Sequence, residues 1–131
     1  MAKSQSDSQI AFVKDRVDYL NQVAPVTARA MFGGYGLYAE GVMFALIATD
    51  RLYFKVDDQN RDDFLSVGGE PFIYDRKGKP AQMSYYSLPD DIFNDLAQLV
   101  IWVESARAAA RRSRSKTTKK QKLNQFQFRE D

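Results

Sequence analysis

With 131 residues, 13% of them aromatic, the chain is long enough for one domain with a core of its own. Cysteine and histidine are both absent, which excludes disulfides, thiol nucleophiles, Ser–His pairs and any zinc or haem site built on thiolate or imidazole. The net charge of +2 hides an asymmetry: residues 1–104 carry ten Lys/Arg against fifteen Asp/Glu, whereas residues 105–131 carry nine against two.

No apolar run approaches the roughly 18 residues of a membrane span, and no apolar segment follows a basic N-terminus, so a soluble cytoplasmic protein is expected. Residues 1–5 are polar and are expected to be disordered. Ser6 and Gln9 have capping-box spacing. Ile10, Val13, Val17 and Leu20 then recur at helical intervals, which predicts a helix over 7–22. Pro25 ends it. A strand follows over 26–32, with Ala28, Ala30 and Phe32 on one face and Thr27, Arg29 and Met31 on the other.

Gly33, Gly34 and Gly36 fall between apolar residues and predict a bulge, a tight turn or a close backbone approach. A phosphate-cradling loop is the weaker reading, because no helix start follows them. Residues 35–39 read as a second strand, Glu40-Gly41 as a two-residue hairpin turn, and 42–48 as a third strand. That third strand is apolar throughout, as expected of a strand central in a sheet. In the fourth strand, 52–56, Leu52, Phe54 and Val56 are expected to face inward and Tyr53 and Lys55 outward.

Asp57 or Asp58 is expected to cap a short helix that ends at Gly68-Gly69 and buries Phe64, Leu65 and Val67. Residues 71–74 and 82–87 predict a hairpin around the polar 76–79 turn. Ser87-Leu88-Pro89-Asp90 then opens the longest helix, with Ile92, Leu96, Leu99, Val103 and Ala106 as its buried stripe. Val100 and Trp102 widen that stripe, and Arg111 and Arg112 complement the dipole at its end. Past Ser113 the chain is polar and basic and cannot build a core. The expected organisation is a disordered N-terminus over 1–5, a domain over 6–112 and a basic flexible tail over 113–131. The fold class is α+β: a mostly antiparallel sheet of about six strands, packed by an N-terminal helix, a short middle helix and a long C-terminal helix.

Met31, Phe32, Gly33, Gly34 and Gly36, with Tyr53 and Lys55, form one set of spaced blocks. Pro71 and Phe72, Gly78 and Lys79, Ser84 and Tyr85, Pro89 and Trp102 continue it. Over residues 8–110 this pattern resembles the N-terminal domain of the TfoX/Sxy family of competence regulators. The resemblance implies a fold similar to type III secretion chaperones. It also implies a cytoplasmic bacterial role in switching on DNA-uptake genes, together with the cyclic-AMP receptor protein. Full-length members carry a second, helical domain where this sequence has its basic segment. The family offers no catalytic residue to carry over.

The chain is accordingly read as a non-enzymatic regulatory module with no cofactor and no metal, acting on a protein partner from the transcription machinery or its regulators. Tyrosines are dense along the strands, and tyrosine suits interfaces because it buries area while keeping a polar tip. The candidate interaction surface is Arg29, Tyr53, Lys55, Lys79 and Tyr85. The alternative is non-specific DNA binding by the basic segment through Arg111, Arg112, Arg114, Lys116, Lys119, Lys120 and Lys122.

Overall fold

The structure, a computed structural model, describes the backbone of residues 7–31, 33–76 and 78–130, and their side chains except Asp7, Arg76 and residues 116–130. The element order is α1 (Asp7–Leu20), β1 (Thr27–Met31), β2 (Gly34–Ala39), β3 (Val42–Ala48), β4 (Arg51–Lys55), α2 (Arg61–Ser66), β5 (Pro71–Arg76), β6 (Lys79–Ser87), α3 (Asp90–Phe93) and α4 (Leu96–Glu130). The six strands form one sheet in the order β1-β2-β3-β4-β6-β5, and every pairing is antiparallel. The expected α+β architecture is therefore present, with the all-apolar β3 in the interior of the sheet.

Local chemistry accounts for the joints. The α1 helix ends where the Asn21 side chain donates to the Val17 and Val26 carbonyls and accepts from the Val26 N–H, tying the helix end to the first strand. Glu40 and Gly41 both have positive φ, 52° and 78°, as a tight hairpin of this hand requires. The core lies between one face of the sheet and the helices. Leu20, Leu37, Phe44, Phe54, Phe64, Leu99 and Val103 belong to one buried cluster. An aromatic chain runs through it, from Phe44 to Phe54 to Phe64 at centroid spacings of 6.4 and 6.3 Å, ending in an edge-on contact of Phe64 with Trp102 at 4.7 Å. Trp102 thus packs on α2 as well as on the core.

Several expectations need correction. The long helix does not begin at Ser87. A short α3 comes first, and the chain breaks at Asn94-Asp95, where Asp95 Oδ1 accepts the Ala97 and Gln98 N–H groups and caps α4. Ser87 Oγ instead accepts from the Glu70 N–H. The α2 cap position belongs to Asn60, because Asp57 faces α4. Ile10, Leu65, Leu96 and Val100 are exposed, so three predicted apolar stripes are narrower than their spacing suggested. The α4 helix runs past residue 112 to Glu130. Ser6 and Phe32 lie outside the described residues.

Candidate functional site

Among the described residues the helices cover one face of the sheet and leave the other open. Pairing register carries that open face across the strands: Arg29 stands opposite Gly36, Gly36 opposite Leu46, Leu46 opposite Tyr53, and Lys55 opposite Tyr85. Parity along each strand adds Met31, Tyr38, Met83 and Lys79. A bulge completes the set. Leu37 pairs with Ala45 and Tyr38 with Met43, so Phe44 is the extra residue on β3. Phe44 is fully buried in the core, and Met43 is turned to the open side with Tyr38. Leu46 and Tyr53 are buried, yet neither belongs to the helix-side cluster.

The open face holds a groove of about 430 Å³, lined among others by Met31, Met43, Leu46, Phe72, Met83 and Tyr85. Two glycines on β2 shape it. A Cβ at Gly34 would collide with the Ile47 carbonyl oxygen, so the sequence reading of a close backbone approach holds there. At Gly36 a Cβ would come within 2.8 Å of Met31 Sδ and 3.0 Å of Met43 Sδ. The thioethers occupy the space that the missing side chain leaves. Positive φ in this stretch belongs to Gly33, at 78°, and not to Gly34 or Gly36. Three of the chain's four methionines line this one groove, where a flexible, polarisable side chain can repack against different shapes.

The charged side chains described on the strands of this face are cationic. Arg29 stacks over the Tyr38 ring at 5.5 Å, and Lys55 Nζ lies 5.1 Å from the Tyr85 centroid while donating to Ser84 Oγ at 2.7 Å. Burial lowers the Lys55 pKa, with the Asp57 carboxylate opposing it, and burial raises that of Tyr85 to about 12, with Tyr38 adding to the shift. Arg51 stacks on Tyr53 at 5.6 Å and pairs with Glu70 at 2.9 Å. Tyr53, Phe72 and Tyr74 form a row with centroid spacings of 5.0 and 6.4 Å.

The five residues proposed as an interaction surface therefore lie on one face. Tyr53 is the exception in accessibility: at 8% exposure it is buried against Phe72 and is not an outward-facing contact. Of the motif residues, Pro71 opens β5, Gly78 has the positive φ of the hairpin turn, Ser84 anchors Lys55, and Pro89 precedes α3. Sequence reasoning missed Met43, whose facing is set by the bulge, and Met83, whose parity with Tyr85 was available. It also missed buried Asn60, which accepts from the Asp57 N–H and donates to the Lys55 carbonyl and Ser105 Oγ, joining β4, α2 and α4.

The candidate nucleic-acid contacts divide. Arg112 forms a two-pronged pair with Asp57 at 2.6 and 2.9 Å, and the guanidinium holds the Asp57 pKa down at about 2. Arg112 thus clamps α4 to the domain. Arg111 is exposed, and the exposed Arg114 lies beside Met43, Lys55 and Tyr85 at one end of the open face. Lys116, Lys119, Lys120 and Lys122 lie outside the described side chains. Among the described residues no helix is long and apolar enough to cross a membrane.

Residues 18–110 match the family model of the TfoX N-terminal domain. The DNA transformation protein TfoX1 of Aliivibrio fischeri is 29% identical over 97 residues, covering 74% of this chain and 46% of that protein. Protein Sxy of Escherichia coli K12 is 21% identical over 106 residues, covering 81% of this chain and 51% of that protein. The chain spans about half the length of these curated relatives. The glycine-shaped β1–β2 turn, the Lys55–Ser84 anchor and the Trp102 helix all fall inside the matched segment, and the chain belongs to the TfoX N-terminal domain family.

Proposed function

We propose that this chain is a non-enzymatic regulatory module of the DNA-transformation type, acting in the cytoplasm by protein contact through the open face of its sheet. One observation carries this reading. The groove over Met31, Met43, Leu46, Met83 and Tyr85 is apolar and has no covering element among the described residues, while the opposite face is packed under helices. An exposed apolar groove of this kind is what a protein partner covers. The name of the relative TfoX1, a DNA transformation protein, supports the process, and the reading places the partner in the transcription machinery or its regulators.

In-cell photo-crosslinking from position 83 tests this. A benzophenone amino acid there should yield adducts with a transcription protein, while one at Asp18, on the outer side of α1, should not. Adducts equal at both positions, or none at either, would count against the reading.

The second reading, DNA binding through the basic segment, is favoured by the charge excess of residues 105–131. If about six cations engage phosphates, the log–log salt slope should be near −5, at about −0.9 per contact. Equal duplex binding by the full chain and a chain ending at Arg112 would remove it.

A further inference from the structure

The charge on the open face differs in sign from the rest of the domain. Residues 1–104 hold an excess of acid, yet the charged side chains described on the strands of this face are Arg29, Arg51, Lys55 and Lys79, and no described strand position on it is acidic. Glu70, at the margin where β5 begins, is already paired with Arg51. Arg29 lies on the edge strand β1, and Lys79 lies at the tip of the β5–β6 hairpin. The apolar groove runs between them.

From this we infer that the open face receives an acidic amphipathic helix of a partner protein. Its apolar stripe would seat on Met31, Met43 and Met83, and carboxylates at both margins would pair with Arg29 and Lys79. The inference rests on the protein-contact reading above and adds the chemistry of the partner. Width supports a helix. Four strand spacings separate β1 from β6, about 19 Å at roughly 4.8 Å each, enough for one helix of about 10–12 Å diameter lying along the strands. Arg29 is level with Ser87 and Lys79 stands further along β6, so the two cations meet opposite margins of that helix at different turns. Methionine lining suits a partner recognised by general apolar shape, as helix-in-groove recognition does.

Charge also decides against the other occupants. A second copy pairing open face to open face would set Arg29, Lys55 and Lys79 against the same cations. The chain's own segment 113–131 carries six Lys/Arg and two acids, so it brings more cations, not the carboxylates that Arg29 and Lys79 would pair with. Single-stranded nucleic acid satisfies the cations and finds rings to stack on at Phe72, Tyr74 and Tyr85, but it leaves the methionine side of the groove, Met31, Met43 and Met83, without an apolar partner.

Fluorescence anisotropy with the full chain tests the inference. The probes are a labelled synthetic helix with Leu and Met on one side and Glu along both margins, its Glu→Gln and Glu→Lys counterparts, and labelled oligo(dT). The acidic helix should bind about tenfold more tightly than the Gln form, lose affinity as salt rises, and outcompete oligo(dT). The double variant Arg29→Glu/Lys79→Glu alters two exposed side chains and should keep its thermal unfolding midpoint. It should lose about tenfold for the acidic helix and gain for the Lys form. Equal binding of the acidic and Gln helices overturns the inference and leaves the protein-contact reading intact. So does failure of all three helices while the position-83 crosslinks persist. Tighter binding of oligo(dT) overturns it in favour of nucleic acid. Loss of both helix binding and crosslinks removes the two readings together.

Discussion

The two faces of the sheet are built from neighbouring residues of the same strands, and they solve opposite problems. On β4, Phe54 points to the helices and is fully buried beside Phe44 and Phe64. Its neighbours Tyr53 and Lys55 point the other way, Tyr53 against Phe72 and Lys55 against the Tyr85 ring that lines the open groove. The covered face uses rigid rings that fit one arrangement of neighbours. The open face uses side chains that remain soluble when uncovered and can rearrange under a partner. A face that is apolar but soft and ringed by charge is what distinguishes a surface kept for binding from an unfinished core.

The contrast breaks most visibly at Phe54. Phe54→Ala should destabilise the fold by about 3–5 kcal/mol, because it removes a fully buried ring from the middle of the aromatic chain. Chemical denaturation of the purified variant measures this. A loss below about 1 kcal/mol would mean that the helix side is not the stabilising face.

Two glycines on the open side of β2 separate a backbone constraint from a side-chain one. Gly34→Val should cost about 1–3 kcal/mol, because its Cβ meets the Ile47 carbonyl and backbone cannot swing aside as a side chain can. Gly36→Ala meets only the mobile ends of Met31, Met43 and Tyr38, so it should cost less while filling the groove. If the order of the two were reversed in thermal unfolding, the close approach of β2 to β3 would not be the constraint.

How legible this was in the sequence depends on the element. The meander and its turns were readable because Glu40-Gly41, Gly78 and the apolar run 42–48 each have a single physical interpretation. The break at Asn94-Asp95 was hidden because Ser87 and Pro89 offered an earlier helix start of equal quality. The stripe positions Leu96 and Val100 satisfy helical spacing but have nothing packed over them. For the site, alternation put Arg29, Tyr53 and Lys55 on the outer side, as the pairing register does. It could not foresee that β5 would bring Phe72 over Tyr53, or that a bulge would turn Met43 outward. Both depend on partners distant in sequence. Arg112 looked like a tail cation because its partner, Asp57, is far away along the chain.

The Asp57–Arg112 clamp gives a pH test on the helix side. The folded pKa of Asp57 is near 2, below the ordinary carboxylate value of about 4. A depressed pKa adds stability at neutral pH that is retained above about pH 4 and lost as pH falls toward 2. Allowing for a guanidinium that is 31% exposed, the contribution is about 1–2 kcal/mol. Asp57→Asn should lower stability by that amount at pH 7, and the gap to the parent should close between about pH 4 and pH 2. A gap that stays constant over that window would assign the loss to the Asn60 network next to it.

The smallest stability effect is expected where the functional effect is greatest. Met83 is 37% exposed and lines the open groove without joining the helix-side core. Met83→Gln keeps the length and flexibility of the side chain and replaces the thioether with an amide. With so much of the residue already in water, the unfolding free energy should change by less than about 0.5 kcal/mol. Partner binding should respond differently, since covering the groove would bury the amide against methionine and tyrosine with no hydrogen-bond partner on the apolar floor. That desolvation costs about 1–3 kcal/mol, equivalent to a loss of roughly five- to 150-fold in affinity. Parallel measurement of unfolding and of acidic-helix binding on the same preparation separates the two effects. If Met83→Gln destabilises the fold as much as it weakens binding, the open face is part of the core after all. If it changes neither, the partner seats elsewhere on the domain.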